Sequence, residues 1–164
     1  MQRRIVLVGP PGVGKSTLVK LAKSKGIYAV DIEAIHDEKK AHLKQTLGED
    51  YRDALAKEMD QIIADLVDNA PEGISIFGAG GYGSHFPLDK IEKVLLLPEK
   101  EIAHSRFIKR NENNSFKKAQ NHNFEEIYEG FVYNWKSGER TYHRVIEETG
   151  TPEETLEQIL QLSA

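Results

Sequence analysis

The apolar positions along this chain change period repeatedly, and each change marks an element. Arg4–Val8 is a continuous β-branched run stopped by Gly9-Pro10-Pro11, the pattern of a short strand buried on both faces. Leu18, Leu21 and Ala22 then fall at helical spacing, which predicts a helix over Lys15–Ser24 ended by Gly26. Ile27–Val30 reads as a second strand finishing at Asp31, and Glu33–Gln45 as a polar helix. Tyr51–Asp68 is a stronger helix, with Tyr51/Leu55 and Met59/Ile63/Val67 one turn apart and Ile62/Leu66 beside them. Asn69-Ala70-Pro71-Glu72-Gly73 breaks it, and Ile74–Phe77 is a third strand that runs into Gly78-Ala79-Gly80-Gly81. Val94–Leu97 is the fourth strand, Glu99–Arg110 and Phe124–Trp135 are helices, and Thr141–Glu147 is a last strand. Thr151-Pro152-Glu153-Glu154 is a capping box with proline at the first helical position, opening a final helix to about Gln161.

Strands alternating with helices in this order imply a parallel sheet covered on both faces. The expected fold is α/β, a three-layer α/β/α domain with a central five-stranded parallel sheet over residues 1–164. Ligands of such sheets gather beyond the carboxyl ends of the strands, where Gly9, Asp31 and Gly78 all stand.

The segment after the first strand, Gly9-Pro10-Pro11-Gly12-Val13-Gly14-Lys15-Ser16-Thr17, carries the most specific chemistry. Glycines at 9, 12 and 14 let backbone N–H groups curl around phosphate oxygens, and the following helix adds its N-terminal partial charge. Lys15 puts a full charge on the β- and γ-phosphates, and the Ser16 hydroxyl is a ligand for Mg²⁺. A strand directly before and a helix directly after are the context this motif requires. The sequence therefore predicts binding of a nucleoside triphosphate, ATP with Mg²⁺, in a fold of the P-loop NTPase type. No Asn/Thr-Lys-x-Asp guanine reader is present, which argues against a GTP switch.

Composition narrows the class further. The 164 residues carry 22 basic and 26 acidic side chains, a net charge of −4, which disfavours a nucleic-acid partner. The apolar run Ile5–Val8 is too short for a secretory signal, which needs roughly 7–15 apolar residues, and no span of about 20 suggests a membrane. Absence of cysteine excludes disulfides and suits a cytoplasmic protein, expected as a monomer or small homo-oligomer. The six histidines show no metal-ligand spacing, and Trp135, Phe131 and Tyr128 form a core stripe.

An acid closing strand two, with Gly78 closing strand three, resembles the small-molecule kinases of the shikimate kinase, gluconate kinase and adenylate kinase group. The likeness covers nearly the whole chain as an order of elements and implies transfer of the γ-phosphate of Mg-ATP to a small-molecule acceptor. Asp31-Ile32-Glu33 looks like the Asp-x-Asp of shikimate kinases, which would give Asp31 to the metal and Glu33 to the acceptor hydroxyl; the plainer role for Asp31 is a helix cap. Gly48-Glu49-Asp50-Tyr51-Arg52 resembles that family's Gly-Glu-x-x-Phe-Arg, which would place Arg52 on an acceptor anion. Gly78–Gly83 looks like its glycine segment, with Gly80 and Gly81 against the acceptor. Ser105–Arg110 resembles the stretch leading into the lid, which implies Arg106 over the adenine, Arg110 on the transferring phosphate and a short lid over about 111–123 with Lys117 and Lys118. The tail is similar to adenylate kinases, so Thr149 and Pro152 would border the adenine. Arg140 stands before Tyr142 as a second acceptor arginine would, but with only a short connection to the last strand. The front half thus implies a shikimate-like hydroxy acid and the back half a nucleoside monophosphate. The alternative is a nucleotide-binding protein with weak ATPase activity and no acceptor.

Overall fold

A computed structural model describes residues 2–111, 123–147 and 149–161. Its five strands are β1 (Arg3–Val8), β2 (Tyr28–Asp31), β3 (Ile74–Gly78), β4 (Glu92–Leu96) and β5 (Arg144–Ile146), all parallel in the order β2-β3-β1-β4-β5. The helices are α1 (Lys15–Ser24), α2 (Ile32–Leu47), α3 (Tyr51–Asp68), α4 (Lys100–Asn111), α5 (Phe124–Lys136) and α6 (Pro152–Leu160), with 3₁₀ turns over Gly48–Asp50 and Gly80–His85. This is the three-layer α/β fold with a five-stranded parallel sheet that the alternation predicts.

The central strand, β1, is wholly apolar from Ile5 to Val8. Ile5, Val6 and Leu7 of β1 are fully buried between β3 and β4, because a strand covered on both faces has no polar side to show. Right-handed crossovers carry α1 over one face, where α6 packs beside it, and send the connections from β2 to β3, β3 to β4 and β4 to β5 over the other. Met59, Ile63 and Val67 bury the inner stripe of α3. The register pairs Leu7 with Gly78 and Val8 with Leu95, and Asp31 with Gly78, so the carboxyl ends finish level.

Several elements differ from expectation, and β4 begins at Glu92 rather than Val94, which places Lys93 inside it. The last strand is shorter than Thr141–Glu147, because His143 leaves the ladder: its N–H donates to the Lys93 carbonyl while its Nδ1 accepts from the Lys93 N–H, both at 2.9 Å. The glycine run after β3 is an ordered 3₁₀ helix laid directly on β1. A Cβ at Gly83 would stand 2.3 Å from Val8 Cγ1, so the glycine is what permits that contact.

Candidate active site

The phosphate loop leaves β1 at Gly9, where a Cβ would lie 2.5 Å from the Leu96 carbonyl oxygen. Gly12 has φ +84°, and a Cβ there would meet the Ala103 carbonyl at 2.6 Å and the Phe107 nitrogen at 2.9 Å. Glycine at 12 therefore serves the loop's curl and its packing against α4 together. Val13 is buried as the apolar anchor of the loop. Gly14 has φ +96° and stands at the N-terminus of α1, whose first residue is Lys15. The Lys15 side chain, 7% exposed, folds back along the loop, and Nζ donates to the carbonyls of Gly9 at 2.8 Å and Pro10 at 3.1 Å.

Asp31 caps α2 and also touches the serine of the phosphate loop. Its Oδ1 accepts from the Ala34 N–H at 3.2 Å as the cap of α2, while Oδ2 accepts from the Ser16 hydroxyl at 3.0 Å. A hydroxyl and a carboxylate in contact form a hard-oxygen pair of the kind that magnesium takes alongside phosphate oxygens and water. Among the described residues no group of three or more His, Asp or Glu side chains is placed to hold a metal by itself.

Glu33, on the first turn of α2, reaches the glycine segment. Gly80 has φ +52°, and a Cβ built there would overlap the Glu33 carboxylate. The clearance at Gly80 therefore first admits Glu33. Gly81 follows in the same 3₁₀ helix. Tyr82 packs its ring on His36 and His85, and His85 Nδ1 meets Asp60 at 2.5 Å, which fastens this helix to α2 and α3. Burial, with Asp60 and Asp37 adding to it, pushes the Tyr82 phenol up.

Two cavities matter here, one lined by the phosphate loop itself and one that begins at Val8, the residue before it. One, of about 240 Å³, is lined by Val13, Gly14, Thr17, Leu18, Arg106, Thr149, Gly150, Pro152 and Thr155, which brings together residues far apart in the chain and expected on the adenine side. The Thr149 Oγ1 in it is buried with no hydrogen-bond partner among the described residues. The other, of about 140 Å³, is lined by Val8, Gly80, Gly83, Ser84, Lys93, Phe131, Asn134, Arg140 and Tyr142. Arg52 joins neither cavity: it is exposed at the start of α3, bonded to Tyr51, and lines a separate depression with Lys44, Gly48 and Glu49. Arg110 closes α4, but its side chain and residues 112–122, hence Lys117, Lys118 and the expected lid, lie outside the described residues.

Sequence reasoning did not find Lys93, Ser84 or Asn134. The available signal was a lysine next to the apolar run Val94–Leu97, which reads as a flank until the pairing with β1 carries it into the sheet.

No protein-family model and no curated protein matches the chain. Among solved structures it resembles a shikimate kinase from Bacteroides thetaiotaomicron, with TM-score 0.64 and 16% identity over 96% of this chain and 95% of that one. It also resembles a shikimate kinase from Acinetobacter baumannii in complex with shikimate, with TM-score 0.64 and 17% identity over 98% and 92% of the two chains. A gluconokinase from Sinorhizobium meliloti gives TM-score 0.56 and 14% identity over 96% and 89%. The likeness is one of fold, and it extends along nearly the whole of each chain.

Proposed function

We propose that the protein is an ATP- and Mg²⁺-dependent phosphotransferase that moves the γ-phosphate to a hydroxyl of a small-molecule acceptor. The observation that carries this reading is a pair of cavities, one lined by the phosphate loop and the other beginning at Val8 just before it. A hydrolase or switch needs one pocket, for its nucleotide. A transferase needs a second, for its acceptor, and the cleft that starts at Val8, next to the loop, and includes Gly80 supports that reading.

On this reading the adenine side is the cavity of Arg106, Thr149 and Pro152, and the loop Gly9–Thr17 takes the phosphates. Lys15 would exchange its bonds to the Gly9 and Pro10 carbonyls for phosphate oxygens, placing its charge where negative charge builds during transfer. Ser16 and Asp31 would hold magnesium, whose contribution is to offset charge on the β- and γ-phosphates. Glu33, against Gly80, would orient the acceptor hydroxyl and take its proton. Arg110 is assigned to the transferring phosphate and Gly81 to the acceptor on the sequence resemblance alone, while Arg52, outside both cavities, takes no part in this reading. The fold neighbours include a shikimate complex, which favours a small hydroxylated acceptor over a macromolecule.

The test is coupled ADP release over hydroxy acids, sugar phosphates and nucleoside monophosphates. At least one acceptor is expected to raise the rate well above the unstimulated rate, and Lys15→Ala to lower it about 100-fold or more with the fold intact. A slow ATPase indifferent to every acceptor would replace this reading with that of a nucleotide-dependent binding protein.

A further inference from the structure

Lys93 is a charged residue in a place that calls for an apolar one. It lies inside β4, paired with Val6 of the central strand, and only 8% of its surface reaches solvent. Its stem is buried in the sheet while its ammonium opens into a cleft, where partial loss of water is costly unless an opposite charge compensates it. Among the described residues no carboxylate lies within ion-pair distance of Lys93 or of Arg140, which faces the same cleft. Arg140 is held there by its N–H, which donates to the Asn134 carbonyl at 3.1 Å, after a turn that Gly138 makes at φ +77°.

We propose that this cleft binds a phosphate monoester dianion on the acceptor, with Lys93 and Arg140 as its two counter-charges. The remaining polar side chains of the lining, Ser84, Asn134 and Tyr142, all have N–H or O–H groups to give, and no lining residue is acidic. Burial pushes the Tyr142 phenol up against the opposing influence of Arg140, so it stays a donor. Two fixed positive charges without an internal negative one set the stoichiometry. A monocarboxylate would leave one charge uncompensated in a half-closed site, whereas a phosphate monoester brings about 1.5 to 2 negative charges near neutral pH in a single group. Its three terminal oxygens accept from several directions at once, as donors from β4, the 3₁₀ helix, α5 and the loop before β5 require. Concentrating the charge in one group also suits a cleft of about 140 Å³ better than two separated carboxylates would.

The inference rests on the kinase reading only in calling the bound molecule the acceptor, so its test is binding without nucleotide. The full-length protein, in a Lys15→Ala background that removes phosphate-loop binding, is titrated calorimetrically with glycerol 3-phosphate, AMP, glycerate and malate. One or both phosphomonoesters should bind about tenfold or more tightly than glycerate and malate, and Lys93→Met and Arg140→Gln should each weaken that binding about tenfold. The phosphomonoester whose affinity depends on Lys93 distinguishes a small phosphorylated alcohol from a nucleotide. Arg140 is exposed, so Arg140→Gln tests the site even if Lys93→Met impairs folding. Tighter binding of malate or glycerate, indifference to both substitutions, or no binding of either phosphomonoester would overturn the proposal. Lys93-dependent phosphomonoester binding without acceptor-stimulated ADP release would remove the kinase reading and leave this one. Transfer to a monocarboxylate, indifferent to Lys93→Met, would do the reverse.

Discussion

At the scale of single residues, the glycines separate into those that make room and those that merely occupy a position. Gly83 makes room: Val8 is buried and branched at Cβ, so it cannot swing away from a methyl group placed 2.3 Å from its Cγ1. Gly83→Ala should cost about 1–3 kcal/mol through this overpacking, seen as a lower urea midpoint with an unchanged slope. Gly130 is the contrast, because it lies within α5 and a Cβ there meets nothing within 4 Å. Gly130→Ala should raise stability by about 0.5–1 kcal/mol through helix propensity and a less flexible unfolded chain. If both substitutions move the midpoint the same way, the close packing of the 3₁₀ helix on β1 is wrong. Asp31 is the other residue whose two atoms do different work, and its consequences belong to the element that it caps.

At the scale of elements, the junction of β2 and α2 joins stability to chemistry through one carboxylate. Asp31 Oδ1 satisfies an N–H of the first turn of α2, and Oδ2 accepts from Ser16 on α1. Asp31→Asn keeps an acceptor for the cap while removing the charge that would hold magnesium. It should leave thermal stability nearly unchanged and lower acceptor-stimulated ADP release about tenfold or more, with a higher magnesium requirement. Asp31→Ala removes both functions and should cost about 1 kcal/mol in addition. Equal activity in wild type and Asp31→Asn would take Asp31 out of the metal site and leave it a cap. Elements with a strong apolar period were legible in the sequence: α3 has the bounds Tyr51–Asp68 that its spacing gives. The 3₁₀ helix Gly80–His85 was not, because it is ordered by neighbours on β1, α2 and α3 rather than by a period of its own. The shortening of β5 was hidden for a similar reason, since it depends on the His143 ring meeting the β4 backbone.

At the scale of the whole molecule, the sheet order decides which distant residues meet. The phosphate-loop motif could be read from the chain because its pattern is local: nine consecutive residues, from the end of β1 into the first turn of α1, carry it. The second cleft could not, because Lys93 and Arg140 meet only after β4 pairs with β1 and α5 folds back over the sheet. That meeting has a measurable cost for the folded chain. Burial, and after it the Arg140 charge, holds the Lys93 ammonium below the ordinary lysine value of about 10.4. Between the lowered value and the ordinary one the unfolded chain binds the proton more completely than the folded chain does, so stability contributed by this group rises with pH. Below the lowered value both states are protonated and the folded state bears the full desolvation cost. Lys93→Met, which fills the same space without charge, should therefore be more stable than wild type at neutral pH. The difference in unfolding free energy should shrink steadily as pH approaches 10.4, while acids and tyrosines shared by the two proteins cancel in the comparison. A difference independent of pH would mean that Lys93 titrates alike in both states and that its head is solvated. Added glycerol 3-phosphate or AMP, whichever binds, should raise the wild-type midpoint at neutral pH and leave that of Lys93→Met nearly unmoved, because ligand that binds only the native state stabilises it in proportion to its affinity. The charge that weakens the empty fold is then the one that recognises the dianion.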